Sequence, residues 1–86
     1  MGKGEDKIMM MKKYLQIGKK YYWKRAGIIT KTIHILAEVE EHVVYRWWKK
    51  SKLCWVWSID SRYFLDMLVE RGDITTIKGK KICALN

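Results

Sequence analysis

The pattern of apolar and polar positions changes character along the chain, and those changes divide it into elements. Met1 to Lys13 mixes glycines, charges and the run Met9-Met10-Met11 without a sustained period, which reads as a flexible basic N-terminal arm or a short frayed helix. From Tyr14 onward Val, Ile, Thr, Tyr and Trp dominate, punctuated by Gly18 and Gly27, a composition that suits a pleated sheet. The stretch Ile28 to Val39 alternates over much of its length. It predicts a half-buried strand with Ile29, Ile33, Ile35, Ala37 and Val39 on one face and Thr30, Thr32, His34 and Glu38 on the other. After the polar break Glu40-Glu41-His42, Val43–Trp48 and Leu53–Ile59 flank Lys49-Lys50-Ser51-Lys52 as the arms of a β-hairpin. Alternation groups Val43, Tyr45 and Trp47 on one arm, and Leu53, Trp55, Trp57 and Ile59 on the other, with one face of the hairpin forming core.

One helix follows, over about residues 61–71. Asp60 or Ser61 can cap its N-terminus, Phe64, Leu65 and Leu68 fall at helical spacing, and Gly72 can stop it. Ile74 to Ile77 reads as a short closing strand, and Lys78 to Lys81 as a basic turn before the apolar tail Ile82 to Leu85. The sum is a mainly β fold with one short α-helix ahead of the last strand, over a single small β-rich domain of residues 14–86. Two architectures fit: a small SH3-like barrel, or a twisted antiparallel sheet with the helix packed across one face.

Composition sharpens this picture. In 86 residues, 49% apolar and 13% aromatic content with five Trp is enough to build a core, which separates the chain from disordered basic tails. Lys and Arg number 18 against 9 Asp and Glu, a net charge of +9, and residues 1–25 carry eight cations against two carboxylates. Such a field draws polyanions: nucleic acid, anionic lipid headgroups or acidic protein surfaces. No apolar run approaches the roughly 18–20 residues of a membrane helix, so no membrane insertion is expected. The N-terminus lacks the pattern of a secretory signal, predicting a cytoplasmic protein in which Cys54 and Cys83 stay reduced.

The basic residues interleave with aromatic ones in two places, Lys19-Lys20-Tyr21-Tyr22-Trp23-Lys24-Arg25 and Arg46-Trp47-Trp48-Lys49-Lys50-Ser51-Lys52. Cations neutralise phosphates and exposed rings stack on bases, so this pairing suits single-stranded or distorted nucleic acid. On a strand only alternate rings face solvent. With Tyr21, Trp23, Tyr45, Trp47, Trp55 and Trp57 filling the core, Tyr22 and Trp48 remain as stacking platforms. Lys19, Lys20, Lys24, Arg25, Arg46, Lys49, Lys50 and Lys52 remain as phosphate contacts, with the opposite parity as the alternative.

Catalytic patterns are missing. His34, His42, Cys54 and Cys83 lack the paired short spacings of a zinc site, and no cofactor or metal is expected. Glu38, Glu40 and Glu41 form the densest acidic group but have no recurring basic partner; Ser61 is better read as a helix cap than a nucleophile. No glycine-rich phosphate loop or nucleophile elbow is present, so the chain is not expected to be an enzyme.

The order Gly18 to Trp23, then Val43-Val44-Tyr45-Arg46-Trp47, Trp55-Val56-Trp57-Ser58-Ile59 and Phe64-Leu65-Asp66-Met67-Leu68 resembles, in rhythm over Gly18 to Ile77, small SH3-like barrel accessory proteins of viruses, phages and plasmids. The resemblance implies roles in binding nucleic acid or in binding and blocking a host protein. The glycine-centred turn motif of ribosomal and transcription-factor SH3-like domains is missing, which argues against a translation or transcription role. Two functions follow as expectations: a nucleic-acid-binding module for DNA or RNA, and an interaction protein, either a homodimer built on an exposed aromatic strand edge or an inhibitor of a larger host factor.

Overall fold

The computed structural model describes residues 14–82; the expected arm over Met1 to Lys13, and Cys83 with the end of the apolar tail, lie outside them. Five strands and one helix follow in the order β1 (Lys20–Arg25), β2 (Ile28–Val39), β3 (His42–Lys49), β4 (Cys54–Ser61), α1 (Arg62–Arg71) and β5 (Ile74–Thr76). All strand pairs are antiparallel, and the sheet order is β4-β3-β2-β1-β5. The sheet is therefore open, with β4 and β5 at its two edges. Of the two anticipated architectures it is the sheet with a helix across one face.

The hairpin turns explain the pairing. Ala26 and Gly27 both adopt positive φ (52° and 79°), the backbone sign that lets a two-residue turn match the right-handed twist of its strands. Glu40 opens the β2–β3 turn at φ 56°. Residues 50–53 link β3 to β4, closing on the pair Lys49 and Cys54 with Leu53 at φ 51°. The helix begins where the Ser61 hydroxyl accepts the Tyr63 N–H (3.1 Å). It ends at Gly72 (φ 84°), whose N–H donates to the Val69 carbonyl while Asp73 N–H reaches Leu68. Of the two anticipated caps, Ser61 is the one used.

One face of the sheet, here the inner face, packs against α1. Tyr21, Ile33, Ile35, Val43 and Tyr45 of the sheet meet Leu65, Leu68 and Val69 of the helix, with Ile74 and Ile82 closing the cluster. Ile33, Leu65, Val69 and Ile74 are fully buried, and each such side chain stabilises the fold by about 1.5–3 kcal/mol. The Arg62 guanidinium sits between Glu38 (3.4 Å) and Asp66 (3.5 Å), tying the start of α1 to β2. Burial holds the Asp66 carboxyl above its ordinary pKa, an effect that Arg62 opposes.

Two expectations about parity are corrected by the register. In β2 the ladder shifts between Ile35 and Ala37, leaving Leu36 as an extra residue, and again where β1 passes from Trp23 to Lys24, leaving Thr30 extra. Each bulge inverts the alternation beyond it. Only Ile33 and Ile35 of the expected apolar face are buried; Ile29 and Val39 are exposed, and Glu38 points inward opposite Val43. In the hairpin, Trp47 lies opposite Val56, and Trp48 opposite Trp55. Trp55, Trp57 and Ile59 therefore face away from the helix, contrary to the expectation that Trp55 and Trp57 share the core with Trp47.

Candidate functional site

Opposite residues in a ladder share a face, so the registers place the side chains of the outer face in rows. One row runs across four strands: Lys20, His34, Arg46 and Trp57. Beside it lie Tyr22 opposite Thr32, and Trp48 opposite Trp55. On the other side Ala37, Val44 and Ile59 form a third, apolar row. No described helix covers this face, and Trp57 remains 58% exposed and Trp48 43%.

The rings and cations here hold one another. The Arg46 guanidinium lies 4.0 Å from the centre of the Trp55 ring and 5.9 Å from that of Trp57. His34 meets Trp55 edge-on at 5.2 Å, and Trp48 meets it edge-on at 5.4 Å. An arginine held over an indole gains about 0.5–1 kcal/mol at an exposed site, and the stack fixes its direction. No carboxylate pairs with Arg46 among the described residues.

Charge is sorted between the two faces. The strand carboxylates Glu38 and Asp60 both point inward, where Arg62 and the Tyr45 hydroxyl (2.5 Å) engage them. That contact and burial push the Tyr45 phenol well above its ordinary pKa. The outer face of the strands has no carboxylate. Burial, with Lys20 and Arg46 nearby, lowers the pKa of His34, so its neutral form is favoured while no anion is bound.

The expected site residues divide accordingly. Lys20, Tyr22, Lys24, Arg46 and Trp48 share the outer face, as anticipated for the two stacking rings. Lys50 and Lys52 are exposed in the turn after β3. Lys19 precedes β1, its carbonyl accepting from Ile35 N–H (3.0 Å). Arg25 stands at the tip of the first hairpin, opposite Ile28. Lys49 points to the inner side, opposite Cys54, and so does not join the rows. His34, Trp55 and Trp57 complete the face and were not among the expected contacts. The signal for Trp55 and Trp57 is the even number of residues, 50 to 53, between the paired ends of the hairpin, which puts Trp48, Trp55 and Trp57 on one side; for His34 it is the polar face of the β2 alternation.

The inner face also holds a cation among rings, differently arranged. Lys31 Nζ lies 4.6 Å from the Trp23 ring centre and 4.5 Å from that of Trp47, and burial lowers its pKa. An open cleft of about 460 Å³ at this end of the sheet is lined by residues of both faces, including Thr32, His34 and Trp48 with Lys31, Trp47 and Lys50. A second hollow of about 540 Å³, lined by Tyr14, Gly18, Lys19, Tyr21 and Ile82 among others, opens where the described chain begins and ends. Among the described residues no cluster of three His, Cys, Asp or Glu is placed to hold a metal ion, and no helix is long and apolar enough to cross a membrane. Compared with protein-family models, curated proteins and solved structures, the chain matches none.

Proposed function

We propose that this chain is a non-catalytic nucleic-acid-binding module of the cytoplasm whose uncovered sheet face receives a single strand. Bases stack on Trp48, Trp57 and Tyr22, while Lys20, Lys24, Arg46, Lys50 and Lys52 neutralise the backbone. The observation that carries this reading is the sorting of charge: rings and cations occupy one face from which strand carboxylates are absent. A face built from flat rings favours single strands, because duplex bases are already stacked on one another and hidden from it. Arg46 adds orientation, since Trp55 fixes its guanidinium and leaves its outer edge free to bond a phosphate.

The test is fluorescence anisotropy of labelled single- and double-stranded oligonucleotides, DNA and RNA, at two salt concentrations. Neutralising about five phosphates on a single strand predicts a slope of log affinity against log salt of about −3.5. Trp48→Ala should weaken the single-strand complex with little change in the salt slope; changing Lys50 and Lys52 together to Ala should weaken it and flatten the slope. Wild-type binding no tighter than that of an unrelated protein of equal charge overturns the proposal and turns the search to a protein partner.

A further inference from the structure

The two edges of the sheet are guarded very differently. β5 is three residues long, and Thr75 bridges onward to Lys81, so little of that edge is free. β4 runs for eight residues from Cys54 to Ser61, pairs with β3 without a register break, and has no described strand on its other side. Open edges are usually protected by lysine, proline, a bulge or short length. β4 has none of these; its one charge, Asp60, points inward, another device that guards an edge, and is bonded by the Tyr45 hydroxyl. Leu53 (74% exposed), Trp57 and Ile59 (58% each) lie along it, among the most exposed apolar side chains of the described chain.

We infer that β4 is the docking edge for a second copy of this chain, paired antiparallel about a two-fold axis into a ten-stranded sheet. Charge selects both the occupant and the direction. At the start of β4 lies the lysine turn with Lys50 and Lys52. At its end lies the glutamate turn of Glu40 and Glu41: His42 is opposite Ser61, and Arg62 N–H donates to the Glu41 carbonyl (2.8 Å). Antiparallel pairing brings the lysine turn of each copy toward the glutamate turn of the other, whereas parallel pairing sets like charges together. The edge is thus complementary to itself, as a two-fold contact requires. Pairing also satisfies the edge's outward backbone groups and shields the edge-side flanks of Trp57 and Ile59, whose side chains stay on the outer face. It joins two outer faces into one surface but does not depend on what that surface binds.

The test uses the full chain, reduced and free of nucleic acid, in sedimentation equilibrium from micromolar to millimolar concentration. Wild type should dimerise, more weakly at high salt. The exposed-turn double variants Lys50→Glu with Lys52→Glu, and Glu40→Lys with Glu41→Lys, should each keep the wild-type circular dichroism and dissociate at least tenfold more readily. Mixed in equal amounts, the two variants should restore the dimer, because every lysine turn then meets a glutamate turn again. A wild-type chain that stays monomeric throughout, a dimer indifferent to both charge swaps, or a mixture no more associated than its components overturns the inference. Since no nucleic acid is present, that failure would leave the proposed function untouched.

Discussion

The two faces of the sheet carry similar residue types to different ends. On the inner face, Tyr21, Trp23, Tyr45 and Trp47 pack with the helix-covered core, and Lys31 is folded back between two indoles whose rings absorb its charge. On the outer face, Tyr22, Trp48, Trp55 and Trp57 have no described helix over them, and Arg46 lies on Trp55 without a carboxylate partner among the described residues. The inner cation is partly buried between rings at the mouth of a cleft; the outer one lies on a ring of the face that no described helix covers. What covers an aromatic–cation cluster sets its exposure, and here a ten-residue helix covers one side of the sheet.

This contrast breaks most readily at Leu65, the fully buried helix residue. Leu65→Ala should lower unfolding free energy by about 2–5 kcal/mol through lost burial and a residual cavity, measured by chemical denaturation. If it cost no more than an exposed substitution, the inner face would not be the core. Next comes Trp57→Ala, which should shift stability by less than about 1 kcal/mol yet cost about 1–3 kcal/mol of single-strand affinity, one stacking platform's worth. A loss of stability with unchanged affinity would assign the outer rings to packing instead.

The smallest effect is expected from pH. The folded-state pKa of His34 is depressed below its unfolded value of about 6.5, so its stability contribution is present above that value and lost as pH falls through the folded pKa. A bound phosphate has the reverse influence, favouring the imidazolium, so binding takes up a proton and affinity should rise severalfold as pH falls through this window. His34→Gln should flatten that dependence. An unchanged profile in the variant would remove His34 from the interface.

Local signals in the sequence were reliable, and phase was not. The helix was legible because its start and stop are chemical: the Ser61 hydroxyl can accept a backbone N–H, and Gly72 tolerates a left-handed backbone. The hairpin was legible from two β-rich runs flanking the polar turn read at Lys49–Lys52, which lies one residue later, at 50–53, in the structure. Tyr22 and Trp48 were assigned to the uncovered face because Tyr21 and Trp47 were assigned to the core, and the registers agree. Trp55 and Trp57 were misplaced because their side depends on which partner each strand residue faces, a property of the pair and not of either strand. Ala37 and Val39 failed for a related reason: Leu36 is an ordinary strand residue by composition, and only the mismatch between β2 and β3 makes it a bulge.

The turn at residues 50–53 has a consequence for how this chain can change. Many replacements within it would leave the backbone path intact, since Lys50, Ser51 and Lys52 are exposed. Deleting or adding one residue is another matter: unless a bulge absorbed the change, it would roll β4 by half a pleat, drive Trp55 and Trp57 toward the helix and turn Cys54 and Val56 outward. The outer face is encoded in the count of residues as much as in their identity, so variation by substitution is open to this loop while variation in length would rewrite the surface.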